Sequence, residues 1–138
     1  MKRLALLSVV ALMLASAVFA PVAMAQEPGD VDITSVTLGP AGSLHVEGTI
    51  ICLQGHQYEI FLEARQTQGN QPSRIGGGGT GTLFCNFSGL QPFSVDVFPN
   101  QGSKPFRKGE VVLSKFRFLC GPSLCVSGSN GFEVFEVR

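Results

Sequence analysis

Apolar and polar residues alternate along most of this chain beyond residue 30, with the period of a β-strand and not of a helix. LHVEGTIIC places Leu44, Val46, Ile50 and Cys52 on one side and His45, Glu47 and Thr49 on the other. YEIFLEARQ turns Tyr58, Ile60, Leu62 and Ala64 inward and leaves Glu59, Glu63 and Arg65 outside. FSVDVF sets Phe93, Val95 and Val97 against Ser94 and Asp96. VVLSKFRFLC reads as Val112, Phe116, Phe118 and Cys120 facing in, with Lys115 and Arg117 facing out. Further strands are expected at VDITSVTL (31–38), TGTLFCNF (80–87) and FEVFEV (132–137). The last has apolar residues on both faces, which predicts a buried edge or a bulge.

Turn formers separate these runs: Gly39-Pro40, Gly55, Gly69-Asn70, Pro99-Asn100, Gly109, Gly128 and Gly131. About seven short strands at this spacing predict an all-β fold, an Ig-like antiparallel β-sandwich that buries alternate residues of two sheets. From Gln66 to Gly79 the chain reads QTQGNQPSRIGGGG, polar and then glycine-rich, and a mobile loop is expected there.

The start of the chain has another character. Lys2 and Arg3 precede an apolar run from Leu4 to Ala20, and Ala23-Met24-Ala25 supplies a small-x-small cleavage site. Residues 1–25 therefore read as a secretory signal peptide and residues 26–138 as a single domain starting at Gln26, released outside the cell with no membrane attachment after cleavage. That domain holds eight basic residues against ten acidic ones, a net charge of −2. Nucleic acid and anionic membranes both select a basic patch, so neither is an expected partner. The short basic run Lys104, Arg107 and Lys108 lies among Gly and Pro and reads as a solvated loop.

Secretion changes the reading of the four cysteines, because an even set in an oxidising compartment forms disulfides. Three pairings are open. Loop entropy and strand register favour Cys52–Cys85 with Cys120–Cys125, at roughly 3.8 and 2.2 kcal/mol respectively for closing the two loops. In CGPSLC the spacing is too long for the C-x-x-C of a thioredoxin-like site, and no helix follows. A structural zinc site needs a second close pair of ligands, whereas His45 and His56 lie in different segments. Pro122 stands where a type I or II turn favours proline, so the pair reads as a staple across a strand reversal.

Other chemistry has weak support. Nucleophilic hydrolysis needs a Ser or Cys beside a His held by a carboxylate. His45 alternates outward beside Glu47, His56 sits in the turn LQGHQ as a surface or turn residue, and no Gly-x-Ser-x-Gly turn occurs. Glu59 with Glu63, and Glu133 with Glu136, read as solvated outer faces. The glycine run 76–79 lacks the Gly-Lys-Ser/Thr ending and helix of a phosphate cradle. No catalytic residue, metal or cofactor is expected. Ten phenylalanines fall in residues 26–138. Phe61 and Phe98 take the outward register of their strands, which marks them as candidate ligand-binding residues.

In the order VEGTIICLQG, EARQTQGN, a glycine-rich segment, CNFSGLQPFSVDVFP, FRKGEVVLSKFRF and CGPSLC, the chain resembles a family of small secreted proteins, mostly actinobacterial, whose function is not characterised. That resemblance implies an Ig-like sandwich with two disulfides and carries no catalytic residues. The tail, C-x4-C followed by VSGSNGFEVFEV, is similar to the enediyne-binding apoproteins of the neocarzinostatin type, in which a short disulfide lies at the lip of a ligand cleft. The expected function is an extracellular, non-enzymatic binding or interaction module. The alternative is a carrier of a small hydrophobic ligand.

Overall fold

A computed structural model describes residues 26–138; the expected signal peptide, residues 1–25, lies outside the described residues. The strands are β1 (Val31–Leu38), β2 (Leu44–Cys52), β3 (Gln57–Gln66), β4 (Arg74–Gly79), β5 (Leu83–Phe84), β6 (Gly89–Pro99), β7 (Gly109–Cys120) and β8 (Cys125–Val137). They pair antiparallel in the order β1-β2-β6-β4-β3-β7-β8, with the two-residue β5 on β3. The end strands β1 and β8 approach each other, so the sheet is nearly closed. This is the all-β, sandwich-like architecture that the alternation predicts. One half is β1-β2-β6 and the other β4-β3-β7-β8, joined where Gly76 and Gly77 pair with Pro99 and Phe98.

The inward sets of β2, β3 and β6 are the predicted ones. Leu44, Val46, Ile50, Tyr58, Ile60, Leu62, Ala64, Phe93, Val95 and Val97 are all buried. Each large side chain contributes about 1.5–3 kcal/mol by leaving water. Cys52 and Cys85 form one disulfide inside this core, and Cys120 and Cys125 form the other. Cys120 and Cys125 face each other across β7 and β8, with Gly121 donating to the Leu124 carbonyl beyond them at 2.9 Å. The hairpin is stapled, as its spacing and proline suggest. The basic residues Lys104, Arg107 and Lys108 are exposed in a loop, pinned to β3 by reciprocal hydrogen bonds between the Gln66 amide and the Arg107 backbone.

Four expectations are corrected. First, β7 has the opposite register: Val111, Leu113, Lys115 and Leu119 face in, while Phe116 and Phe118 are exposed. Leu119, Leu113 and Val111 stand beside or just beyond the inward residues Tyr58 and Ala64 of β3, and those contacts outweigh the F-x-F pattern between them. Lys115 is thereby forced inside, where its ammonium donates to the Val31 carbonyl at 3.0 Å.

Second, the glycine-rich segment is not all loop. Residues 74–79 form β4, pairing with β3 along its whole length. Glycines hide this strand from a hydrophobic pattern because they supply no side chain to alternate. Aromatic rings from neighbours cover the bare backbone instead: a Cβ on Gly76 would lie 2.8 Å from the Phe106 ring, and one on Gly77 3.0 Å from Phe61 Cζ. Third, only Leu83–Phe84 of the expected strand 80–87 is extended and paired; Cys85 is buried, but Leu83 and Phe87 are exposed.

Fourth, Glu133 does not lie on a solvated outer face but pairs with Lys115 at 3.1 Å. The cause is a bulge in β8. Ser114 faces Phe132 and Phe116 faces Ser129, so Asn130 and Gly131 both stand opposite Lys115. Gly131, with φ +81°, supplies the left-handed residue that such a bulge favours. Beyond the bulge residues 132–137 alternate without a break and are apolar on both faces: Phe132 and Val134 are exposed, while Phe135 and Val137 pack inward.

Candidate functional site: an aromatic sheet face

Two outer faces of the molecule differ sharply in chemistry. On β1, β2 and the middle of β6 the outward residues are largely polar, with Leu90 exposed near the start of β6. His45 Nδ1 lies 2.7 Å from Asp96 Oδ1, and Ser35 donates to Glu47 at 2.8 Å. On β3, β7 and β8 the outward residues are largely aromatic. Phe61 stands opposite Phe116, with ring centroids 6.3 Å apart and planes inclined at 48°. Phe118 stands opposite Glu59, Phe132 opposite Ser114, and Val134 opposite Val112. Phe98, on β6, extends the face through its partner Gly77.

The local sequence explains how this face stays open. β4 offers Gly77 and Gly79 at its outward positions beside Phe61, so no neighbouring side chain rises above the ring. A shallow groove of about 180 Å³ lies between Glu59, Phe61, Phe116, Arg117 and Phe118. Arg117 borders the groove from β7 but takes the inward register opposite buried Ile60, with its guanidinium donating to the Gly128 and Ser129 carbonyls at 3.2 and 2.8 Å. The disulfide Cys120–Cys125 continues the outward register of Phe116 and Phe118, and Cys125 is exposed.

Both candidate residues from the sequence, Phe61 and Phe98, are on this face, with 48 % and 60 % of their surface exposed. Phe116, Phe118 and Phe132 were not legible as part of it. The first two were assigned to the core because F-x-F at period two reads as buried. Lys115 and Arg117 hid the true register, because they share the face of Val111, Leu113 and Leu119. Val112, Phe116, Phe118 and Cys120 thus make the more apolar set, and only the pairing with Tyr58 and Ala64 of β3 orients the strand.

The histidines are placed as follows. His45 is on the polar outer face, as expected, and no hydroxyl hydrogen-bonds to its ring among the described residues. His56 closes the turn LQGHQ as expected, its backbone N–H donating to the Leu53 carbonyl at 3.0 Å, but its side chain is buried beneath the stapled hairpin and not at the surface. Its Nε2 is 3.5 Å from Ser123 Oγ, and its Nδ1 has no hydrogen-bond partner among the described residues. The arrangement thus lacks the carboxylate that would orient the imidazole of a catalytic triad. No group of three His, Cys, Asp or Glu side chains is placed to hold a metal ion among the described residues.

Two larger cavities, of about 340 and 450 Å³, lie along the seam between β1 and β8. The first is lined mainly by polar side chains, among them Asp30, Asp32, Lys115, Asn130 and Glu133. Its groups are already engaged with one another: Asn130 accepts from the Val31 backbone N–H at 2.7 Å, and Lys115 is held by Val31 and Glu133. No protein-family model, curated protein or solved structure matches the chain.

Proposed function

We propose that the chain is a secreted, non-enzymatic binding module whose recognition surface is the aromatic face of β3, β7 and β8. One observation carries this reading. Phe61, Phe98, Phe116, Phe118 and Phe132 are each at least 40 % exposed and share one face, whereas the opposite outer face carries no exposed aromatic residue and is largely polar among the described residues. Single exposed apolar residues are ordinary on protein surfaces, but contiguous aromatic patches mark contact surfaces. A partner that covers one of these rings gains up to about 1.5–3 kcal/mol from it. The three-part leader and the two disulfides support an extracellular location, and the Ig-like assignment rests on the strand count and order.

A second reading is the carrier of a small hydrophobic ligand. It draws support from the apolar groove beside the stapled hairpin, a placement similar to the cleft lip of neocarzinostatin-type apoproteins. The groove, at about 180 Å³, falls below the roughly 300–1,000 Å³ that encloses a drug-sized molecule. A flat contact with an extended partner fits the surface better.

Nile red, an uncharged fluorophore, tests the face. Its emission is expected to rise on mixing with the native protein, and the rise to vanish in the double variant F61S/F116S. Urea denaturation checks that this variant is folded. Undiminished emission from a folded double variant removes the reading. Amino-terminal sequencing of the protein recovered from culture medium tests secretion, with Gln26 as the expected first residue.

A further inference from the structure

The outward charges around the aromatic face identify the chemistry of its partner. On the outward, strand-paired positions of β3, β7 and β8 stand Glu59, Glu63, Glu110, Glu136 and a single base, Arg65. Glu59 and Glu63 bracket Phe61 along β3, each at the next outward position, two residue pairs from the Phe61–Phe116 contact. Glu110 and Glu136 face each other directly across β7 and β8. Like charges in directly opposed strand positions destabilise a sheet, and nothing within the fold requires acids there, because all four are exposed. Arg117 does not offset them, since it takes the inward register of β7 and its guanidinium is engaged by the Gly128 and Ser129 carbonyls.

We infer that the aromatic face binds a basic amphipathic peptide segment of a partner protein, its apolar side chains on the phenylalanines and its Lys or Arg side chains toward Glu59 and Glu63. This rests on the proposed role of the face and adds the partner's chemistry. Size selects a peptide over a small cation. From Phe98 on β6 to Phe132 on β8 the face crosses β4, β3 and β7, four strand spacings or about 19 Å, which a small ligand does not span. Charge selects a basic segment. A cationic side chain between Phe61 and either glutamate meets a carboxylate and an aromatic ring face together, each favourable for a cation.

The test uses two synthetic peptides of equal length with alternating sequence, one of Leu and Lys and one of Leu and Glu. Binding to the native protein is read by fluorescence anisotropy at low and high salt. The Leu-Lys peptide is expected to bind at least about tenfold more tightly than the Leu-Glu peptide, and the gap to narrow at high salt. In E59Q/E63Q the preference should shrink several-fold while apolar binding persists. Equal affinity for both peptides, or an unchanged preference in E59Q/E63Q, overturns the inference about charge and leaves the face as the contact surface. Undiminished binding of the Leu-Lys peptide to folded F61S/F116S, or no binding of either peptide to the native protein, overturns the face itself. F132S supplies a second test of the face, because that ring is 71 % exposed and its loss cannot unfold the core.

Discussion

Lys115 Nζ lies 3.0 Å from the Val31 carbonyl oxygen and 3.1 Å from Glu133 Oε2, tying β7 to both β1 and β8 where the ends of the sheet meet. The two contacts differ in weight. The Glu133 side chain is 38 % exposed as a whole, although the Oε2 that meets Lys115 is buried, so water screens the ion pair only in part. The carbonyl bond is buried, and removing its charged donor leaves an unsatisfied acceptor. Lys115→Met is expected to cost about 2 kcal/mol, and Glu133→Gln less than about 1 kcal/mol. Urea denaturation of both variants checks the order. A larger loss in Glu133→Gln would mean that the ion pair, not the carbonyl bond, holds the seam.

β4 depends on the absence of side chains, and unequally so at neighbouring positions. A Cβ on Gly78 would lie 2.1 Å from the Asp96 carbonyl oxygen, which is backbone and cannot move aside cheaply. At Gly77 the obstruction is the tip of the Phe61 ring at 3.0 Å, which can swing away. Gly78→Ala should therefore destabilise by about 3 kcal/mol, at the upper end for overpacking, and Gly77→Ala by about 1 kcal/mol or less. Gly77→Ala should still weaken peptide binding, because it displaces Phe61. Thermal melts and anisotropy on the same two variants separate these effects.

How much of this was legible in sequence follows from what each strand offers a two-residue period. β2, β3 and β6 present most of their apolar residues on one face, with Phe61, Leu90 and Phe98 as outward exceptions, and their inward sets follow directly. β7 presents leucine and valine on one face and phenylalanine on the other. Alternation finds such a strand but cannot orient it; the pairing with Tyr58 and Ala64 of β3 does. β4 presents glycine, which carries no pattern, and the β8 bulge shifts the phase midway along the strand. The candidate site was half visible for the same reason. Phe61 and Phe98 stood against buried neighbours of fixed register, while Phe116 and Phe118 inherited the wrong register of β7.

The two disulfides are expected to contribute unequally. Loop entropy assigns about 3.8 kcal/mol to closing the Cys52–Cys85 loop and about 2.2 kcal/mol to Cys120–Cys125. Cys52 and Cys85 are also buried, at 1 % and 3 % exposure, whereas Cys125 is exposed. Replacing both cysteines of a pair with alanine should thus cost more at 52 and 85 than at 120 and 125. Denaturation midpoints of the two double variants give the comparison, and the reverse order would point to the hairpin as the more important constraint.

The stapled hairpin and His56 are coupled through a single missing methyl group. A Cβ at Gly121 would lie 2.5 Å from His56 Cγ and 2.6 Å from two further ring atoms. The ring is buried, so it has no free space into which to retreat. Gly121→Ala is expected to destabilise the protein by about 2 kcal/mol through overpacking. His56→Ala removes the obstruction at the expense of a cavity, so the double variant should be more stable than the sum of the two single losses predicts. A positive coupling of about 1 kcal/mol in that double-mutant cycle is the expected signature of direct contact. Strict additivity would mean that the hairpin moves away from His56 when Gly121 is replaced. The disulfide would then fix the turn itself without fixing its seat on His56, and its outer edge beside Phe118 would be free to adjust to a bound partner.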